Sequence, residues 1–233
     1  MAPHTRTPPT AQIPSYWHEA VSVLSARDPV MGRMAQAAHP QTLRSRGAPF
    51  TTLVRSIVGQ QISVKAADAV WTRMTGVLGA QPQQPEILPS AVLARSASLE
   101  TVGLSSRKRI YILGLAQWFM ANPDLNDRLT SLSDQEVIGL LTAQHGIGRW
   151  TAEMFLIFTL MRPDVFPVDD LGVLKALDLH YGRALAGYRR HHPGETPAAR
   201  RTRALRLAER WRPYRTVASW LLWRSLDPVP VEY

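Results

Sequence analysis

Two adjacent carboxylates, Asp169 and Asp170, follow Phe166-Pro167-Val168 and precede an apolar run opening at Leu171. Aspartate is among the best residues for the position before a helix, so one of the pair is expected to cap a helix starting near Leu171. A carboxylate can equally orient or deprotonate a water, or stabilise positive charge as it develops. A second group is Gly146-Ile147-Gly148, followed by Arg149-Trp150-Thr151. Two glycines around one apolar residue predict a tight hairpin, because glycine accepts positive φ and lets another backbone approach closely. Exposed N–H groups of such a hairpin, and of the first turn after it, can cradle a phosphate. Ile147 is expected to point inward and pin the flanking helices. Taken alone, a Gly-Ile-Gly turn is more often a plain helix connection, since many αα-hairpins turn on glycine.

These groups need helices to hold them, and the apolar spacing supplies helices throughout. Phe50, Leu53, Val54, Ile57 and Val58 recur on one helical face. A second helix is predicted from about Ser63 to Leu78, ending near Gly79; Tyr111, Leu115 and Trp118 mark another. Ser133 followed by Glu136 is a capping-box signature for a helix through Val137, Leu140 and Leu141, which ends at the hairpin. A helix through Trp150, Ala152, Met154, Phe155 and Phe158 follows it. Val217, Trp220 and Leu221 mark a last helix beginning near Pro213. Proline-containing breaks at Gln81–Pro89, Asn122–Asp124 and Pro228–Pro230 punctuate the chain. No run of alternating strands is present.

Composition narrows the function classes. The 233 residues carry a formal net charge of +9, which favours a polyanion, with nucleic acid ahead of an anionic membrane surface. Arginines crowd the stretch from Arg183 to Arg215, with few acids between them, and Arg107, Lys108 and Arg109 form a smaller group. The plainer reading of both is a solubilising surface. With no cysteine there is no disulfide, thiolate zinc site or cysteine-ligated iron–sulfur cluster. His191-His192 is an adjacent pair and the other histidines are scattered, so side-chain metal catalysis is not expected. No apolar run approaches the ~20 residues that cross a bilayer, so no membrane association is expected. Met1 to Pro14 holds Pro3, Pro8, Pro9 and Pro14 and reads as a disordered tail, not a secretory signal.

Three blocks, in order, resemble the helix–hairpin–helix DNA glycosylases, and within them the branch that releases 3-methyladenine. They are Val58-Gly59-Gln60-Gln61-Ile62-Ser63, Gly146-Ile147-Gly148-Arg149-Trp150-Thr151-Ala152 and Phe166-Pro167-Val168-Asp169-Asp170-Leu171-Gly172-Val173. Glu209-Arg210-Trp211-Arg212-Pro213-Tyr214-Arg215 supports them, and the likeness spans roughly Pro49 to Arg224. The resemblance implies an all-α fold: two helical lobes around a cleft, with the hairpin and Asp170 at its mouth. The expected divisions are a tail at 1–14, N-terminal helices at 15–48 packing with the C-terminal lobe, a bundle at 49–162 ending in the hairpin, and a C-terminal lobe at 163–233.

The same resemblance assigns roles. Asp170 matches the catalytic carboxylate, with Asp169 as the capping or orienting neighbour. Cleavage of an N-glycosidic bond passes through a sugar with oxocarbenium character, which a carboxylate stabilises. An alkylated purine already carries positive charge, so one carboxylate suffices. Trp150 stands where members that also cut the backbone place a Schiff-base lysine, which implies base removal without strand cleavage. Trp150 and Trp223 match base-contacting aromatics, although Trp150 could equally be core. Met154 and Leu171 stand where relatives carry tyrosines, implying a looser pocket. Gln61 matches the wedge that fills the hole left by a flipped base, with Ile62 as the fallback. Gly146, Ile147, Gly148, Arg149 and Thr151 match the phosphate-binding hairpin, where His145 replaces a common proline. A monovalent cation on the hairpin's carbonyls is possible by analogy; no other cofactor is implied. The implied partner is double-stranded DNA with damaged bases, acted on by a monomer in the cytoplasm at the nucleoid. The alternative is a helix–hairpin–helix DNA-binding protein without activity.

Overall fold

The computed structural model describes residues 13–45, 47–80, 86–182 and 196–226. The expected N-terminal tail, most of the Gln81–Pro89 break, Arg183, Arg189, Arg190, His191-His192 and the Pro228–Pro230 break lie outside these residues, wholly or in the main. Among the described residues there are helices and no strands, so the chain is all-α. None of these helices is long and apolar enough to cross a membrane.

The chain divides into two compact units. Among the described residues, one comprises those from Ser45 to Phe155, the other Ile13–Arg44 with those from Leu156 onward. The change of unit at Phe155/Leu156 comes earlier than the 162/163 division read from the sequence, because it falls inside a helix and not at the loop after it.

The first unit contains α3 (Pro49–Gly59), α4 (Val64–Leu78), α5 (Pro89–Ala94), α6 (Ser106–Ala121), α7 (Leu125–Ser131), α8 (Asp134–Thr142) and the start of α9 (Arg149–Phe158). Phe50, Leu53, Val54, Ile57 and Val58 of α3 are all buried, and α3 packs on α4 and α6. Burying each such side chain contributes roughly 1.5–3 kcal/mol. Local signals set the ends of α4: the Ser63 hydroxyl accepts from the N–H of Ala66, and Gly79 closes the helix at φ +75°. α6 buries Ile112, Leu115, Ala116 and Phe119. Tyr111 and Trp118 are only half-buried, so they flank that face instead of defining it. The capping box at Ser133 and Glu136 forms fully.

The second unit contains α1 (Trp17–Arg27), α2 (Pro29–Ala38), α10 (Leu171–Tyr181), α11 (Pro197–Ala208) and α12 (Arg215–Leu226), with the end of α9. α2 and α10 both pack on α12, and Trp17 meets Trp220 edge-on at 5.0 Å. The last helix begins at Arg215 and not at Pro213, because Trp211–Tyr214 forms a turn in which the Tyr214 N–H donates to the Trp211 carbonyl.

A buried carboxylate ties this unit together. Asp28 Oδ1 caps α2 by accepting from Val30 and Met31, while Oδ2 accepts from the Tyr181 hydroxyl at 2.9 Å and Trp211 Nε1 at 3.1 Å. Burial, reinforced by the Asp28 charge, pushes the Tyr181 hydroxyl far above the usual tyrosine range. Tyr181 is therefore a donor under all ordinary conditions.

Candidate functional site

In the second unit, Pro167–Asp170 forms a turn closed by the Asp170 N–H on the Pro167 carbonyl at 3.0 Å, and α10 starts directly after it. Asp170 is itself the N-cap: Oδ1 accepts from the Val173 N–H at 2.8 Å and from Trp223 Nε1 at 2.9 Å. The positive end of a helix favours a negative charge here. Capping therefore falls to Asp170 and not to Asp169, correcting the reading of Asp169 as the cap. Asp169 is exposed and pairs with Arg201 at 3.2 Å.

Trp223 does more than present an aromatic face. Its ring lies at 5.8 Å and 21° from Phe158, stacked, which fixes the direction of its N–H toward Asp170. Gly172 makes room for this pair, since a Cβ there would stand 3.1 Å from both Asp170 Oδ1 and Trp223 Cδ1. Leu171, next to the carboxylate, is 79 % exposed. Gly172 stood inside a sequence motif and Phe158 in the apolar pattern of the helix after the hairpin, but no local rule singled out their roles.

In the first unit, the Ile147 N–H donates to the Gln144 carbonyl and Ile147 is buried, pinning the turn between α8 and α9. Gly146 has φ +85°, and a Cβ there would come within 2.3 Å of the Tyr111 ring, so glycine is required on both counts. Gly148 is different. Its φ is not positive, and nothing lies within 4 Å of its Cβ position, so the opening there is one of access. The first bond of α9 runs from Ala152 N to Gly148 O, which leaves the first-turn N–H groups directed out of the helix end.

Arg149 is exposed and held by buried Glu153 at 3.0 Å. Thr151 is only 5 % exposed, so of its two donors the main-chain N–H in the first turn of α9, not the hydroxyl, is the one open to an anion. Trp150 is 44 % exposed, which rules out the reading as core. Met154 is buried, at 7 % exposure, and lends no open surface of the kind expected of a base-contacting residue. His145 is exposed on the hairpin. Thr142–Gly148 line a shallow hollow of about 370 Å³ with no carboxylate in its wall.

The turn joining α3 to α4 carries Gln61 at φ +59°, exposed, with Ile62 41 % exposed beside it. Lys108 does not join an open basic cluster. Its ammonium donates to the Val58 and Gln60 carbonyls at 2.8 and 2.7 Å, and burial lowers its pKa. Arg109 pairs with Glu100, so Arg107 is the exposed member of that triplet. Four of the later arginines, Arg200, Arg201, Arg212 and Arg215, are likewise paired with acids. Arg200 pairs with Asp178, and Arg212 and Arg215 both pair with Asp164.

Residues 54–209 match the family of HhH-GPD superfamily base excision DNA repair proteins. The chain is 32 % identical over 193 residues to DNA-3-methyladenine glycosylase 1 of Schizosaccharomyces pombe, covering 80 % of this chain and 76 % of that protein. Among solved structures, a DNA-3-methyladenine glycosidase from Bacillus halodurans superposes with TM-score 0.74 at 31 % identity, covering 89 % of each chain. A 3-methyladenine DNA glycosylase of S. pombe in complex with abasic DNA superposes with TM-score 0.69 at 27 % identity, covering 91 % of this chain and 100 % of the other.

Proposed function

The chain belongs to the HhH-GPD superfamily of base excision DNA repair proteins, and on that footing we propose that it is a monofunctional DNA glycosylase releasing alkylated purines. The observation that carries the chemistry is Asp170, held at the start of α10 by the Val173 and Trp223 N–H groups on one carboxylate oxygen. As the N-glycosidic bond breaks, the sugar gains positive charge, and a carboxylate fixed in advance stabilises it without reorganising. The same group orients the attacking water and takes up its proton. A base carrying a positive charge leaves without a second acid.

Trp150 supports both the substrate class and the reaction type. An exposed indole face attracts a cationic base by roughly 0.5–2 kcal/mol. It also has no amine with which to attack the sugar, so the abasic strand stays intact. The hairpin at Gly146–Gly148 and the first turn of α9 supply N–H groups to a backbone phosphate, and Gln61, with Ile62 beside it, is the wedge entering the gap left by the flipped base. A monovalent cation on the hairpin carbonyls would steady that turn.

The test is release of base from methylated duplex DNA by wild type and Asp170→Asn, with strand cleavage followed separately. Release should fall a hundredfold or more in the variant, by order of magnitude, with strands uncut until alkali is added. Binding to methylated DNA without any release would instead favour a DNA-binding protein lacking activity.

A further inference from the structure

The turn Gln60–Ile62 is held from three directions. Beneath it, the Lys108 ammonium spans the Val58 and Gln60 carbonyls, which are left without partners where α3 ends. To one side, Gln60 Nε2 donates to the Gly146 carbonyl of the hairpin at 2.8 Å. Beyond it, Ser63 caps α4. Between these anchors Gln61 occupies the left-handed region at φ +59°, a conformation a residue with a side chain keeps only when its surroundings impose it. Gln61 and Ile62 are exposed, so the restraint acts wholly on the backbone beneath them.

We infer that Lys108 and Gln60 are positioning residues for duplex penetration: together they lock the Gln61 turn in its protruding form and tie it to the phosphate-binding hairpin. This rests on the reading of Gln61–Ile62 as the wedge. A flexible turn would have to be ordered while it displaced a stacked base, whereas a locked one enters preformed. The link through Gly146 also means that the wedge keeps its place relative to the hairpin, so phosphate grip and insertion share one frame. Lys108 is thus removed from direct phosphate contact.

The experiment uses two readouts on wild type, Lys108→Met, Lys108→Arg and Gln60→Ala. The first is the fluorescence of 2-aminopurine beside a tetrahydrofuran abasic site in duplex DNA, at saturating protein, which reports wedge insertion without chemistry. The second is the ratio of base release from methylated duplex to release from methylated single strands, where no stack must be displaced. Lys108→Met and Gln60→Ala should each lose most of the fluorescence change, and the duplex-to-single-strand ratio should fall roughly tenfold. Lys108→Arg, which keeps the charge and donors, should recover part of both. A general loss of folding would lower both rates together and leave their ratio unchanged. An unaltered fluorescence change and ratio in Lys108→Met and Gln60→Ala would overturn the inference. Wild type that gives the fluorescence change but releases no base from either substrate would sink the glycosylase reading while leaving the positioning role standing.

Discussion

The indole N–H of Trp223 and Oδ1 of Asp170 are 2.9 Å apart, and the same oxygen receives the main-chain N–H of Val173. One donor comes from the helix that Asp170 caps and the other from α12, so the carboxylate is aimed by two elements at once. A hydrogen bond to a charged group contributes about 1.5–3 kcal/mol. Trp223→Phe keeps a ring against Phe158 and removes only the donor. Single-turnover release should slow roughly tenfold or more while affinity for abasic DNA is retained. An unchanged rate would mean that the aim of Asp170 does not depend on the indole.

Gly172→Ala sets local preference against the site. An alanine within a helix is favoured over glycine by up to about 1 kcal/mol. Its Cβ, however, would press on Asp170 Oδ1 and Trp223 Cδ1, both at 3.1 Å. The expected variant has a thermal midpoint close to wild type and a clearly reduced rate of release. Equal losses in both would show that the crowding is absorbed by the fold at large.

The two hairpin glycines should behave differently. Gly146→Ala combines a positive φ with a Cβ 2.3 Å from the Tyr111 ring, and should destabilise the protein by about 2 kcal/mol or more. Gly148→Ala meets nothing within 4 Å and should leave unfolding nearly unchanged. It should weaken binding to abasic duplex, because the methyl group stands where a phosphate would approach. Denaturant midpoints and salt-controlled binding separate the two effects; similar behaviour of both variants would count against this division of labour.

Asp28 should be the costliest single residue in the second unit. Replacing it by alanine leaves the Tyr181 hydroxyl, Trp211 Nε1 and the first N–H groups of α2 without their acceptor. A loss of about 3–5 kcal/mol is expected in equilibrium unfolding. A loss under about 1 kcal/mol would show that water replaces the carboxylate there.

The capping box before the hairpin should give a pH signature. The hydroxyl and N–H of Ser133 hold the Glu136 carboxyl below the usual glutamate range. A depressed folded-state value means that its contribution is present above the unfolded glutamate pKa and disappears as pH falls through the folded one. The thermal midpoint of wild type should therefore exceed that of Glu136→Gln near neutrality, and the gap should close as pH falls below the unfolded glutamate pKa and through the lower folded one. A gap independent of pH would assign the difference to something other than ionisation.

What the sequence by itself determined was local. Ser63 and Gly79 bound α4, Ser133 and Glu136 start α8, and the α3 apolar stripe is buried as its spacing predicts. Caps and helix faces depend on residues three or four apart, so their signals lie side by side in the chain. The all-α class followed from the same patterns, and the motif blocks pointed to the family. Tertiary structure decided the rest. Trp150 and Trp211 look alike in sequence, yet one is exposed and the other fully buried, because Trp211 meets Asp28 across 183 positions. Lys108 reads like its basic neighbours until the end of α3, about fifty residues earlier, supplies the carbonyls that draw it inward. Asp169 and Asp170 are equivalent N-caps on paper. Only the path of the turn, with Trp223 and Arg201 brought alongside, assigns the cap to one and a surface ion pair to the other. Packing between distant segments makes these distinctions, and no short-range rule carries that information.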